Sequence, residues 1–164
     1  MTVATVVRYR PELREDFGRL NRWWIERYFG LEAPDMAVFA DPEGEILAGG
    51  GEIFFVLEED RAVGTCALIP HSPGVYELAK MGVDPAAQGR GFGSMLMVAA
   101  IAWARQQGAR RLELLSNSAL APALSLYEKH GFRHVPVEAR EGGYERANVK
   151  MVLELTGADD RGLA

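Results

Sequence analysis

Gln88-Gly89-Arg90-Gly91-Phe92-Gly93-Ser94 stands between a β-rich run, Val75 to Val83, and an apolar run of helical character, Met95 to Gln107. A glycine-rich turn from strand into helix exposes several backbone N–H groups at the positive end of the helix dipole, a geometry that holds phosphate without many lysines. The stretch predicts a phosphorylated cofactor. Spacing separates the kinds of phosphate loop it could be. A P-loop requires a glycine, four residues, then Gly-Lys-Ser/Thr, and no lysine lies near this turn. A dinucleotide fingerprint requires G-x-G-x-x-G, whereas Gly89, Gly91 and Gly93 alternate and Ser94 sits where the third glycine belongs. Glu113 falls about 20 residues on, but inside a strand rather than at its end. An isolated glycine pair also serves as a plain tight turn. Three glycines, Arg90 and a helix start at Ser94 shape this one for a pyrophosphate.

Outward from the turn, the second half of the chain reads strand (Val75 to Val83), turn, helix (Met95 to Gln107), strand (Leu112 to Ser116), helix (Pro122 to His130), with Gly108 and Gly131 as helix stops. That order is a βαβα unit, which implies a right-handed crossover and a parallel strand pair. Upstream, Val3 to Tyr9 is β-rich. Pro11 opens a helix to about Phe29, with Leu13, Phe17, Leu20, Trp24 and Tyr28 as its core stripe. A short helix is expected over Asp35 to Ala40. Ile53 to Glu58 and Ala62 to Pro70 form a hairpin around Glu59-Asp60-Arg61. Tyr144 to Leu155 reads as a last strand, and Thr156 to Ala164 as a frayed tail. The predicted fold class is α/β, a mixed sheet flanked by helices, in one domain over residues 1–164.

The chain has 164 residues, 48% hydrophobic and 25% charged, which suits one sizeable core. Its net charge of -5 argues against a nucleic-acid partner, because that footprint needs clustered Lys and Arg. Cys66 is the only cysteine, so no internal disulfide forms, and no Cys/His cluster has metal-ligand spacing. No apolar run reaches the ~18 residues of a membrane span, and Met1 to Arg10 lacks a signal core. A soluble, unprocessed cytoplasmic protein is expected, with neither metal nor membrane partner.

Three residues outside the turn carry candidate chemistry. Glu77 lies in a strand apolar enough to be central, where desolvation raises a carboxyl towards the range useful to a base. A contact with Lys80 is the ordinary explanation, but the odd offset puts the two on opposite faces of a regular strand. Asn117 closes the strand after Ser116, a place where asparagine also simply caps a turn. Tyr127 shares a helix face with Leu120 and Leu124, so core packing competes with function there. His71, His130 and His134 lack the arrangement of a triad or metal site. Cys66 has no partner histidine, which makes an acyl-enzyme unexpected. Trp23 and Phe29 fall off the stripe of the first helix and are free to border a pocket.

Gln88, Gly91 and Gly93 match Q-x-x-G-x-G, and Ala123 to Phe132 matches A-x-x-x-Y-x-x-x-G-F. With these two motifs the chain resembles the GNAT superfamily of acyl-CoA-dependent N-acetyltransferases, closely over Val75 to Val135. The resemblance implies a central, mostly antiparallel mixed sheet with one splayed parallel strand pair. It implies acetyl-CoA as donor, with the pyrophosphate held by Gln88, Gly89, Arg90, Gly91, Gly93 and Ser94. Met81 and Val83, with the small Gly82 between them to permit close approach, would pair with the pantetheine arm and the acetyl carbonyl; Asn117 would contact that arm. Glu77, eleven residues before Gln88, would be general base, and Tyr127 the general acid at the thioester sulfur. The acceptor would be a small-molecule or peptide amine near the first helix, with the same fold also able to serve as a non-catalytic acetyl-CoA sensor. An exposed strand at the C-terminal part of the sheet offers a surface for a homodimer.

Overall fold

The computed structural model describes residues 3–139 and 141–155. The expected tail over Thr156 to Ala164 lies outside them. Seven strands run through the described residues: β1 (Ala4–Arg8), β2 (Glu52–Glu58), β3 (Arg61–Ser72), β4 (Val75–Val83), β5 (Arg111–Ser116), β6 (Arg133–Val135) and β7 (Val149–Glu154). They form one sheet in the order β1-β2-β3-β4-β5-β7-β6. Every neighbouring pair is antiparallel except β4 and β5. The helices are α1 (Arg14–Tyr28), α2 (Ala33–Ala40), α3 (Phe92–Gln106) and α4 (Ala121–Lys129). The predicted mixed sheet with one parallel pair is therefore the observed one. Among the described residues no helix is long and apolar enough to cross a membrane.

The period-2 alternation of strands divides the core between the two sheet faces. On β2, Phe54 and Val56 join Leu96, Met97 and Trp103 of α3, whereas Ile53, Phe55 and Leu57 join Phe17, Leu20 and Ile25 of α1. Each of these large side chains contributes roughly 1.5–3 kcal/mol by leaving water, so the two layers are held independently. The β2–β3 hairpin turns through Glu59 and Asp60, both at positive φ, as the two-residue turns that match strand twist require.

Four sequence expectations are corrected. Helix α3 starts at Phe92 rather than Met95, because Gly91 caps it at φ 86° and the low helix propensity of Gly93 masks its first turn. The last strand begins at Val149, leaving Tyr144 to Asn148 as a loop. Strand β6 is too short to show a period and exists through its pairing with β7. The exposed strand of the C-terminal part is consequently β6, three residues long and carrying exposed Arg133 and His134. Finally, Tyr28 leaves the core stripe and is 48% exposed, since the last turn of α1 overhangs a gap in the sheet.

Candidate functional site

That gap is the separation of β4 from β5. The parallel ladder holds Val75 to Arg111, Tyr76 to Leu112 and Glu77 to Glu113, then stops. Beyond Glu77 the two strands diverge, and Leu78, Ala79, Lys80, Met81, Gly82 and Val83 all line a cavity of about 420 Å³. The cavity passes between the sheet faces. On one side it meets Leu126 and Tyr127, the latter packed against the α3 core; on the other it meets Trp23, Trp24, Tyr28 and Phe29 of α1 and its end.

The glycine turn closes one side of this cavity, through Gln88, Gly89, Gly91, Phe92 and Gly93. Gly89 and Gly91 stand at φ 79° and 86°, a region glycine enters without a Cβ penalty. Their geometry leads directly into the first turn of α3, whose N–H groups have no intrahelical acceptor. The Gln88 side-chain amide donates back to the Val83 carbonyl at 3.3 Å. Two members of the predicted set point elsewhere. Arg90 is a bidentate partner of Glu58, with one N–H···O contact of 2.9 Å, and its guanidinium lies over the Phe92 ring. The Ser94 hydroxyl lies 3.3 Å from His130 Nε2. Gly82 is required for a different approach from the expected one. A Cβ there would lie 2.3 Å from the Leu20 carbonyl oxygen, so the room it makes is taken by the backbone of α1.

Glu77 sits at the vertex of the splay. Tyr76 and Leu78 pack towards α3, so Glu77 faces α1 and α2. Burial raises its carboxyl above the usual carboxylate range; Lys80 and His71 act against that rise, Glu113 and Glu141 with it. Among the described residues it makes no hydrogen bond or ion pair. Lys80 was expected on the opposite face, but it lies on the same one. Four residues of β4 (Ala79 to Gly82) span what three residues of β3 (Thr65 to Ala67) span, and Lys80 takes φ 52° at this bulge.

The bulge delivers Lys80 into a buried polar cluster. Its ammonium donates to Asp35, which is fully buried at the start of α2, and to the Tyr144 hydroxyl at 2.7 Å. Arg146 clasps the same Asp35 carboxylate with two bonds of 2.7 Å and reaches Glu32 at 3.2 Å. Burial alone would raise Asp35, but the bonds from Arg146, Lys80 and the Glu32 amide outweigh it and hold the carboxyl at about 2. Burial pulls the Lys80 ammonium down and pushes the Tyr144 phenol up.

Across the gap, Tyr127 is half-buried beside Phe132, and burial, with Cys66 behind it, raises its phenol to about 12. No other described residue hydrogen-bonds its hydroxyl. Asn117 also borders the cavity, and both ends of its amide are used: it accepts from the Ala119 N–H at 2.8 Å and donates to the Arg146 carbonyl at 2.6 Å. Its turn-capping role is thus realised, and it ties the strand end to the loop that carries Arg146. The Cys66 thiol is buried and raised to about 12, unsuited to nucleophilic attack.

This arrangement has relatives. Residues 11–132, well over half of the chain, match the acetyltransferase (GNAT) family. The chain belongs to the GNAT family. It is 30% identical to the uncharacterized N-acetyltransferase YjgM of Escherichia coli K12 over 139 residues, covering 80% of this chain and 83% of that one. It is 32% identical to a mycothiol acetyltransferase of Gordonia bronchialis, over 65% of this chain but only 33% of that longer protein. Among solved structures, a GNAT acetyltransferase of Staphylococcus aureus Mu50 superposes with a TM-score of 0.84 at 19% identity, covering 93% of this chain and 99% of that one. The PaiA N-acetyltransferase of Thermoplasma acidophilum, solved with coenzyme A, superposes at 0.73 with 14% identity, covering 93% and 99%.

Within this GNAT fold, sequence reasoning located the turn, the vertex glutamate and the tyrosine, and missed Asp35, Tyr144 and Arg146. One signal was present: Lys80 is a second ionisable group inside an apolar strand, and a lysine so placed needs a buried acid. Its partners stand 45 and 64 residues away, beyond any local pattern.

Proposed function

We propose that this GNAT protein transfers an acetyl group from acetyl-CoA to a primary amine. The observation that carries the reading is the splay itself, with Glu77 at its vertex, Tyr127 on one side and a glycine turn into α3 at its border. Those residues fit the donor. The left-handed Gly89 and Gly91 bring backbone N–H groups to the end of a helix dipole, which suits a pyrophosphate. The unpaired edge of β4 from Leu78 to Val83 suits an extended amide-bearing arm such as pantetheine, with Met81 and Val83 supplying main-chain partners and Gly93 and Asn117 bordering it. Arg90 and Ser94 reach a phosphate only by exchanging their present partners Glu58 and His130. The coenzyme A complexes among similar structures support the same donor.

Acetyl-CoA, when bound, supplies an activated thioester carbonyl. Glu77 takes the proton of the acceptor ammonium, directly or through water, leaving a nitrogen lone pair able to attack. The new C–N bond forms as the C–S bond breaks. Tyr127 donates its hydroxyl proton to the departing sulfur and recovers one, directly or through water, as the attacking nitrogen gives up its second proton; the Glu77 proton passes to solvent, and the products are the acetamide and free coenzyme A. The two groups approach from opposite sheet faces, so base and acid do not neutralise each other. Thiol release from acetyl-CoA across a panel of amines, in wild type and Glu77→Gln, tests the reading. Turnover by wild type that collapses in the variant supports it. Binding of coenzyme A without turnover of any amine would assign the chain to the sensor class instead.

A further inference from the structure

The acceptor side of the cavity has a composition of its own. Four rings, Trp23, Trp24, Tyr28 and Phe29, border it from α1, with Trp24 and Phe29 edge to face at 6.4 Å and Tyr28 and Phe29 at 6.2 Å. Among the described residues, the charged ones lining the cavity are Glu77, Lys80 and Arg146. Neither cation is available to a ligand anion. Lys80 and Arg146 share the fully buried Asp35, and Arg146 also holds Glu32, so two positive charges are matched by two negative ones from behind the wall. A substrate carboxylate would have to displace a buried one and leave it unpaired, a strongly unfavourable exchange. Glu77 is left as the one lining charge without an ion-pair partner among the described residues. A single ammonium beside it, with aromatic faces around the rest of the ligand, satisfies the wall.

We infer that the acceptor is a primary amine with one positive charge and an aromatic or apolar body, bearing no carboxylate next to the amine. The ring-lined wall of α1 takes the body, and Glu77 takes the ammonium. A polycation would carry further charges past the one unpaired acid to a wall where only ring faces, and no second acid, could meet them. An amino acid would set its carboxylate against a side-chain pair that is already satisfied. The inference rests on the N-acetyltransferase reading of the same cavity.

The test measures kcat/KM by thiol release for 2-phenylethylamine, L-phenylalanine and spermidine. L-phenylalanine is the first amine with a carboxylate added, and spermidine is a polycation without a ring. 2-Phenylethylamine is expected to exceed each of the others at least tenfold. Equal or better turnover of either competitor would overturn the acceptor class while leaving the transferase reading intact; no thiol release with any amine, while coenzyme A still binds, would overturn both. Tyr28→Ala and Phe29→Ala, at the exposed end of α1, provide a second arm. Each is expected to raise KM for 2-phenylethylamine about fivefold, with KM for acetyl-CoA unchanged. An unchanged amine KM in both variants would remove the aromatic wall from recognition.

Discussion

Glu77 and Lys80 lie on the same face of β4 although they stand an odd three positions apart, because the strand bulges where Lys80 adopts φ 52°. The two ionisable groups of the strand are thereby brought to one wall of the cavity, one unpaired and one held by Asp35. Lys80 is a positive charge acting on the candidate base, and its removal has a definite sign.

Lys80 lowers the proton affinity of Glu77, which burial has raised. Only the deprotonated carboxylate accepts a proton, so kcat/KM is expected to climb as pH rises through the raised Glu77 pKa. In Lys80→Met the opposing charge is gone, and that ascending limb should move to higher pH. In Glu77→Gln the limb should vanish, with kcat reduced by about 10²- to 10⁴-fold. A pH–rate profile of the three proteins checks the order; a limb that stays in place in Glu77→Gln assigns the base elsewhere.

Tyr127→Phe removes only the hydroxyl and keeps the packing against Phe132. Its kcat should fall by about 10²-fold or more, while the coenzyme A dissociation constant changes by less than about twofold. Steady-state kinetics alongside calorimetric titration separates these quantities. A loss of affinity with kcat preserved would make Tyr127 a packing residue.

Asp35 is fully buried between two cations, so Asp35→Asn leaves Lys80 and Arg146 competing for Glu32 and solvent. The expected cost is about 3 kcal/mol or more in denaturant unfolding. Its pH dependence has a fixed direction. The folded pKa of about 2 lies below the ordinary 3.8, so the stabilisation is complete above about pH 4 and is lost as pH falls towards 2. The difference between wild type and variant should shrink over that interval.

Two glycines should fail in different ways. Gly82→Ala places a Cβ against the Leu20 carbonyl and should destabilise the fold by about 1–3 kcal/mol, since α1 must move to admit it. Gly91→Ala meets no neighbour, but its φ of 86° strains any side chain by roughly 1–2 kcal/mol. It should therefore weaken coenzyme A binding more than Gly82→Ala does. Melting temperature and ligand affinity, measured on both, tell the cases apart.

Local patterns were enough for much of this protein. Strand β4 has the bounds its β-rich composition predicts, and the turn that follows it carries alternating glycines readable as left-handed residues before a helix. Glu77 and Tyr127 were legible because an ionisable group in an apolar run and a tyrosine in a spaced motif are short-range features. Tyr28 misled, because its helical spacing matches the stripe while nothing in the spacing reveals where the sheet beneath it opens. Lys80 misled too, since the two-residue period of a strand holds only until a bulge interrupts it.

By itself the sequence determined the order of the helices and of every strand but β6, the glycine turn at Gln88 to Ser94 and the candidate residues Glu77 and Tyr127, for each depends on chemistry spread over a few neighbouring positions. The tertiary structure decided how the acceptor wall is charged. Asp35 meets Lys80 across 45 residues and Arg146 across 111, and the desolvation that makes such a cluster matter exists only once α2, β4 and the loop before β7 have packed together.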